Sequence, residues 1–292
     1  MSDRVVVTLD GQVHDADAPL LHADDLAAVR GDGVFETLLV RGGAPCGVEL
    51  HLARLTASAA ALDLPTPDLD SWRLVVGLAV DEWTRTSDAE GALRLVLSRG
   101  RESGGEPTGY ATVGPLHERV TKARDEGVSV VTLNRGYSVD YAASAPWGLL
   151  GAKTLSYATN MAALRHAARL GADDVIFTSS EGRVLEGPRS TVVLARGKTL
   201  VTPPVEQGIL AGTTVDALFQ VASSKGYTCE RANVYPADLI AADGVWLISS
   251  ITLAARVTTL NGVELPVPAI AEDVRSMVDL AVESIGDSAA DA

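Results

Sequence analysis

The stretch KTLSYATNM, residues 153–161, follows PWGLLGA, residues 146–152, a run with hardly any polar side chain. Most lysines keep their ammonium group in water. One set beside Leu149, Leu150 and Ala152 is desolvated, which disfavours the charged form and leaves a free amine usable for Schiff-base chemistry. Lys153 is therefore the leading candidate for catalysis, against the plain alternative of a solvated surface lysine. Helical spacing runs from about Tyr157 to Leu170 and stops at Gly171, before the apolar strand DDVIFTS, residues 173–179.

Working outward, the chain opens as a strand, turn and strand over residues 4–13, with Asp10-Gly11 at the turn. Val34–Val40 and Gly47–Leu50 are expected as strands around a turn at Arg41-Gly42-Gly43. Two amphipathic helices follow, through Leu52, Leu55, Ala59 and Leu62, then through Trp72, Val75, Val76, Ala79 and Trp83. Strands around Leu93–Leu97 and Tyr110–Val113 complete a small α+β domain, residues 1–116. The polar stretch 117–126 is expected to be a linker, and the remainder, 127–292, a second, larger and mostly antiparallel domain. In it a helix opens at Thr213, where Thr213 and Asp216 form a capping-box pattern, and a last helix runs from about Pro268 to Ile285.

Composition excludes several classes. With 24 Lys+Arg against 38 Asp+Glu the net charge is −14, which repels nucleic acid and anionic membrane surfaces. Cys46 and Cys229 are too few and too far apart for a disulfide framework or a thiolate metal site. The start MSDRVVVTLDG lacks the apolar core of a signal peptide, so a cytoplasmic location is expected. His14, His22, His51, His117 and His166 lack metal-ligand spacing, and Gly31-Asp32-Gly33 lacks the third glycine of a dinucleotide fingerprint.

Other residues gain meaning only together. Glu186, in the turn VLEGPRS, reads alone as a solvated turn carboxylate; beside a pyridine nitrogen it would keep that nitrogen protonated and the ring electron-withdrawing. Gly212, Thr213 and Thr214 stand at a helix N-terminus, where backbone N–H groups and the helix dipole suit a phosphate or simply a cap. Arg54 is a surface arginine or a bidentate phosphate ligand, and Ser249 and Ser250, after an apolar strand, are possible hydroxyl donors.

In order, GDGVFET (31–37), HLARL (51–55), LRLVLSRG (93–100), KTLSYATNM (153–161), VLEGPRSTVV (184–193), GILAGTT (208–214) and SSITLAARVTTLNG (249–262) resemble the fold-type IV family of pyridoxal phosphate (PLP) enzymes. That family includes branched-chain and D-amino-acid aminotransferases and 4-amino-4-deoxychorismate lyase. The resemblance covers nearly the whole chain. It implies a small α+β domain and a larger pseudo-barrel domain, a homodimer, a small-molecule amine as substrate and PLP as cofactor. Lys153 would be the Schiff-base lysine and proton carrier, Glu186 the partner of the ring nitrogen, and Tyr157 the neighbour of the ring hydroxyl. Arg54, Gly212, Thr213, Thr214 and Ser250 would hold the phosphate. Phe35, Glu36 and Thr37 would face the substrate side.

Within the family, LRLVLSRGRESGG, residues 93–105, looks most like the aminodeoxychorismate lyases. Lyases and D-amino-acid aminotransferases commonly place another arginine just after that loop, where this chain has Glu106-Pro107-Thr108. Arg94, Arg99 and Arg101 are the candidates to receive a substrate carboxylate instead. The leading expectation is the lyase reaction giving 4-aminobenzoate and pyruvate, a step of folate synthesis. An aminotransferase of D-amino or branched-chain acids is the second, and a non-catalytic protein keeping the fold is the third.

Overall fold

The computed structural model describes residues 3–287; the first two and last five residues, at the outer ends of the expected domains 1–116 and 127–292, lie outside the described residues. The chain divides into one unit of residues 1–117, 152–157 and 285–292, and another of 118–151 and 158–284. Each combines a sheet with helices, the α+β class expected.

In the first unit the strands are β1 (Val5–Thr8), β2 (Val13–His14), β3 (Gly33–Arg41), β4 (Ala44–Pro45), β5 (Gly91–Ser98) and β6 (Thr108–Pro115), and the helices α1 (Leu26–Arg30), α2 (Val48–Ala61) and α3 (Leu69–Thr84). The sheet order is β2-β1-β6-β5-β3-β4, antiparallel throughout. Helix α3 turns Trp72, Val75, Val76, Ala79, Val80 and Trp83 inward, the stripe its sequence predicts. Gly47–Leu50, expected as a strand, opens α2 instead. Four residues are too few to separate a period of two from one of 3.6, and the exposed Leu50 takes no part in the core.

Asp25 ties the loops of this unit together. Its carboxylate is 1 % exposed and accepts hydrogen bonds from the Ser98 hydroxyl at 2.6 Å, the Thr108 hydroxyl at 2.9 Å and the Ala27 backbone N–H at 2.9 Å, capping α1. Asp25→Ala strands these donors and is expected to lower unfolding free energy by about 2–4 kcal/mol. Denaturant titration measures it, and a change below about 0.5 kcal/mol would contradict this account.

The second unit begins with α4 (Glu118–Glu126), the stretch expected as a linker. It reads as linker because its apolar stripe is only Val120 and Ala123, both buried, and Arg124 donates from Nε to the Ile251 carbonyl at 3.1 Å. The strands are β7 (Val128–Asn134), β8 (Asp174–Thr178), β9 (Thr191–Arg196), β10 (Thr199–Thr202), β11 (Thr228–Arg231), β12 (Gly244–Ser249), β13 (Leu253–Leu260) and β14 (Val263–Glu264). With them come α5 (Tyr141–Ser144), α6 (Ala158–Arg169), α7 (Thr213–Ser224), α8 (Pro236–Ala241) and α9 (Ala271–Asp287). The sheet order is β11-β10-β9-β12-β13-β7-β8, with β14 on β13. Its middle is antiparallel, as expected, while β10–β11, β13–β7 and β7–β8 pair in parallel. Val130, Ile176, Val192, Leu194, Leu247 and Val257 belong to its core.

The capping box expected at Thr213 and Asp216 does not form. The N-cap of α7 is Gly212, without a side-chain cap, and Asp216 accepts a hydrogen bond from Arg231. A Cβ on Gly212 would lie 2.4 Å from Oγ1 of Thr191, so a residue with a capping side chain does not fit. Among the described residues no helix is long and apolar enough to cross a membrane.

Candidate active site

In the first unit the lysine segment lies against the start of β3. The Phe35 N–H donates to the Lys153 carbonyl at 3.1 Å, and the Leu155 N–H to the Gly33 carbonyl at 2.8 Å. Gly33 is required by the close approach: a Cβ there would lie 2.6 Å from the Leu97 carbonyl oxygen and 2.8 Å from Cδ1 of Leu155. Lys153 Nζ is consequently 4.5 Å from the Phe35 ring centroid. Tyr157 meets the same ring edge-on, centroids 5.5 Å apart.

Alternation along β3 places Phe35 and Thr37 on one face and Glu36 on the other. Thr37 pairs directly with the exposed Arg94 of β5, whose guanidinium carbon is 5.9 Å from the Phe35 centroid. Phe35, Thr37 and Arg94 thus share a face. Glu36 does not: it is 0 % exposed and meets α2. There Arg54 donates from Nε to Oε1 and from Nη2 to Oε2, each at 2.7 Å, and Nδ1 of His51 lies 2.7 Å from Oε2. Placing Glu36 with its neighbours overlooked the two-residue period.

Burial pushes the Glu36 carboxyl up, but the charge and hydrogen bonds of Arg54, with the bond from His51, more than offset it and hold it at about 2. Burial pushes His51 below its ordinary 6.5, against the pull of Glu36. Both shifts have one sign for stability. The unfolded chain binds protons more readily at each position, so stability falls as pH drops below 6.5 for His51 and below 4.5 for Glu36. His51→Gln is therefore expected to flatten the loss of stability between about pH 6.5 and pH 5 by up to about 1.4 kcal/mol per pH unit. Denaturant titrations across that range measure it, and parallel profiles for the two proteins would refute it.

Arg99 departs from its expected role. Its guanidinium donates to Asp32 at 2.7 and 3.2 Å and to the carbonyls of Leu62 and Asp63 at 2.5 and 3.2 Å. All three of its nitrogens are engaged, by Asp32 or by the carbonyls that follow α2, which argues against its receiving a substrate carboxylate. Arg101 bonds to Asp24 at 2.9 Å. Of the three candidates, Arg94 alone lies on the Phe35 face.

In the second unit, Glu186 sits in the turn between β8 and β9, where Phe177 N–H donates to its carbonyl at 2.8 Å. Its side chain accepts from Arg135 Nη1 at 2.6 Å and from the Leu210 N–H at 3.0 Å. Arg135 also lies 5.2 and 5.3 Å from the centroids of Phe177 and Tyr137. Sequence reasoning missed Arg135, and no motif marks it; the only hint is its place just beyond β7. Thr213 and Thr214 are buried at the start of α7, and Oγ1 of Thr214 lies 3.3 Å from Oγ of Ser250. Ser249 instead accepts the Thr252 N–H at 3.0 Å.

Each unit carries groups whose chemistry suits part of PLP. In the first, an amine beside an aromatic ring suits the aldehyde. In the second, a carboxylate held by Arg135 suits the pyridine nitrogen, and a helix N-terminus without a side-chain cap, with hydroxyls near it, suits a phosphate.

Residues 33–260 match the model of the family described as amino-transferase class IV. The chain is 56% identical over 287 residues to the bifunctional aminodeoxychorismate lyase / D-amino acid transaminase of Mycobacterium tuberculosis, spanning 96% of this chain and 99% of the relative. It is also similar to the solved structure of a hypothetical aminotransferase from Mycobacterium tuberculosis in a PLP-bound form, with TM-score 0.95 and 57% identity over 96% of this chain and 99% of that one. A fold IV-transaminase from Curtobacterium pusillum has TM-score 0.90 and 41% identity over 95% and 97% of the two chains. With its fold, its ordered motifs and these likenesses, the chain belongs to the class IV aminotransferase family, whose structural relatives have fold type IV.

Proposed function

We propose that this chain is a PLP-dependent enzyme with 4-amino-4-deoxychorismate lyase activity, forming 4-aminobenzoate and pyruvate, and with D-amino acid transaminase activity on the same residues. The observation that carries the chemistry is Lys153, whose amine lies 4.5 Å from the Phe35 centroid. The choice of reactions is supported by the nearly end-to-end likeness to a relative named for both. Branched-chain acids are left as the weaker transaminase alternative.

When bound, PLP supplies an electron sink for the charge that develops as the amine-bearing carbon loses its proton. The chain's own residues then have distinct tasks. Lys153 Nζ would hold the cofactor and, when not bound to it, would carry the proton from the substrate carbon. In the lyase reaction no second substrate is needed, because expulsion of the enolpyruvyl oxygen makes the ring aromatic. In the transaminase reaction the same lysine returns the proton at a different carbon. Glu186, held by Arg135 and the Leu210 N–H, presents its charge to the pyridine nitrogen. Tyr157 would neighbour the ring hydroxyl, and Arg54, Gly212, Thr213, Thr214 and Ser250 would hold the phosphate. Phe35, Thr37 and Arg94 contact the substrate, with Arg94 for its carboxylate. A homodimer is part of this reading, checked by light scattering.

The test is purified protein given aminodeoxychorismate and no keto acid. Equal release of 4-aminobenzoate and pyruvate is expected, and its absence defeats the lyase assignment. D-alanine with α-ketoglutarate is expected to yield pyruvate and glutamate, and no turnover there defeats the transaminase assignment. A preparation that stays colourless after added PLP defeats both.

A further inference from the structure

Glu36 and His51 have no task in the chemistry above, yet they are the polar groups the first unit buries most completely beside Arg54. Glu36 is 0 % and His51 3 % exposed. A carboxylate in the middle of a strand is a poor way to gain stability, because removing it from water costs several kcal/mol and a packed apolar side chain of similar size does as well. Its geometry serves direction instead. Two parallel bonds of 2.7 Å fix the plane of the Arg54 guanidinium through Nε and Nη2. The imidazole, 2.7 Å from Oε2 and kept neutral by burial, holds the carboxylate from the other side without adding charge.

The spacing on α2 adds a second, independent observation. His51, Arg54 and Ser58 stand three and four residues apart, one stripe of a helix. Ser58 is buried, and its hydroxyl accepts the Lys153 backbone N–H at 3.1 Å. One helix face therefore anchors both the backbone of the reactive lysine and the guanidinium, four residues apart on the same rigid rod.

We propose that Glu36 and His51 are positioning residues, a carboxylate–imidazole clamp that orients Arg54 toward the cofactor phosphate at a distance from Lys153 fixed by α2. This rests on the reading that Arg54 holds the phosphate. The clamp makes recognition directional: the arginine is already partnered by a carboxylate, so its alignment matters more than its charge. Glu36→Gln turns an amide N–H₂ toward one of the two guanidinium donors, and Glu36→Asp withdraws the carboxylate by one methylene; both let the guanidinium rotate.

The test compares two ligands on the full chain freed of cofactor and titrated by visible absorbance. PLP reports the phosphate and the lysine together, whereas pyridoxal, which lacks the phosphate, reports the lysine alone. Arg54→Gln is expected to weaken PLP binding by about tenfold or more and leave pyridoxal within about twofold. Glu36→Gln and Glu36→Asp are expected to do the same, and His51→Gln to follow in the same direction by a smaller factor. A merely structural role would weaken both ligands alike. If Arg54→Gln lowers the PLP to pyridoxal ratio while both Glu36 variants keep it, the clamp is refuted and the phosphate reading stands. If Arg54→Gln itself leaves the ratio unchanged, the phosphate reading falls and the clamp with it. Should Glu36→Gln not fold, Glu36→Asp and His51→Gln decide between the same outcomes.

Discussion

Lys153→Ala is expected to lower turnover of both proposed reactions on the order of 10⁴-fold, because one side chain both binds the cofactor and carries the proton. The fold should survive the change. The backbone bonds of Lys153, its N–H to Ser58 and its carbonyl from Phe35, are kept by alanine. Thermal unfolding and far-ultraviolet circular dichroism are therefore expected to match the parent, while the visible absorption band of the loaded protein disappears. A variant that keeps the band would sink the assignment of this lysine, and one that keeps turnover would sink its role as proton carrier.

The second large effect belongs to Glu186. Glu186→Gln keeps the shape of the side chain and an oxygen to accept the Leu210 N–H, but it removes the charge that faces Arg135 at 2.6 Å. Without that carboxylate the pyridine nitrogen would no longer be kept protonated, and the ring would take up less of the negative charge that develops at the substrate carbon, a loss of electrostatic stabilisation that lowers turnover by roughly 10²–10³-fold. The loss should appear in kcat at saturating substrate and cofactor, because the residue acts on the ring and not on the substrate. Less than about a fivefold change in kcat would show that Glu186 does not serve the ring nitrogen. Arg135 is left facing an amide, so the unfolding midpoint is the control that separates a chemical effect from a folding one.

Much of this was legible from the residues, and the parts that were not have identifiable causes. Long periodic runs read correctly: Trp72 through Trp83 gives a helix because six apolar side chains fall on one stripe. Short or narrow signals misled. Gly47–Leu50 was too brief to show its period, and α4 carries so few apolar residues that its helix looked like connection. At the site, residue types announced chemistry before geometry did, so Lys153, Glu186 and Thr213-Thr214 stood out within ordered motifs. Pairings between distant positions left no local trace. Nothing near Arg135 points to a glutamate 51 residues away, and nothing in the loop after β5 shows that Arg99 closes on Asp32, 67 residues earlier. Glu36 was placed with Phe35 and Thr37 although strand alternation, readable from sequence alone, already separates them.

The short strip 152–157 belongs to the first unit although it is reached only after more than thirty residues of the second. It pairs with the beginning of β3, through the carbonyls of Gly33 and Lys153. This bears on how the gene can be cut. A fragment ending near residue 117 would contain the whole six-stranded sheet but leave the hydrogen-bonding groups of Gly33 and Phe35 open to a passing strand of another molecule. The complementary fragment would carry Lys153 in an internal strip, between residues 151 and 158, without Ser58 and Phe35 to pair with its backbone. Neither piece is a module to be shuffled independently, so chimaeras between relatives should join outside 33–157, or exchange the N-terminal sheet and the lysine strip as one inheritance.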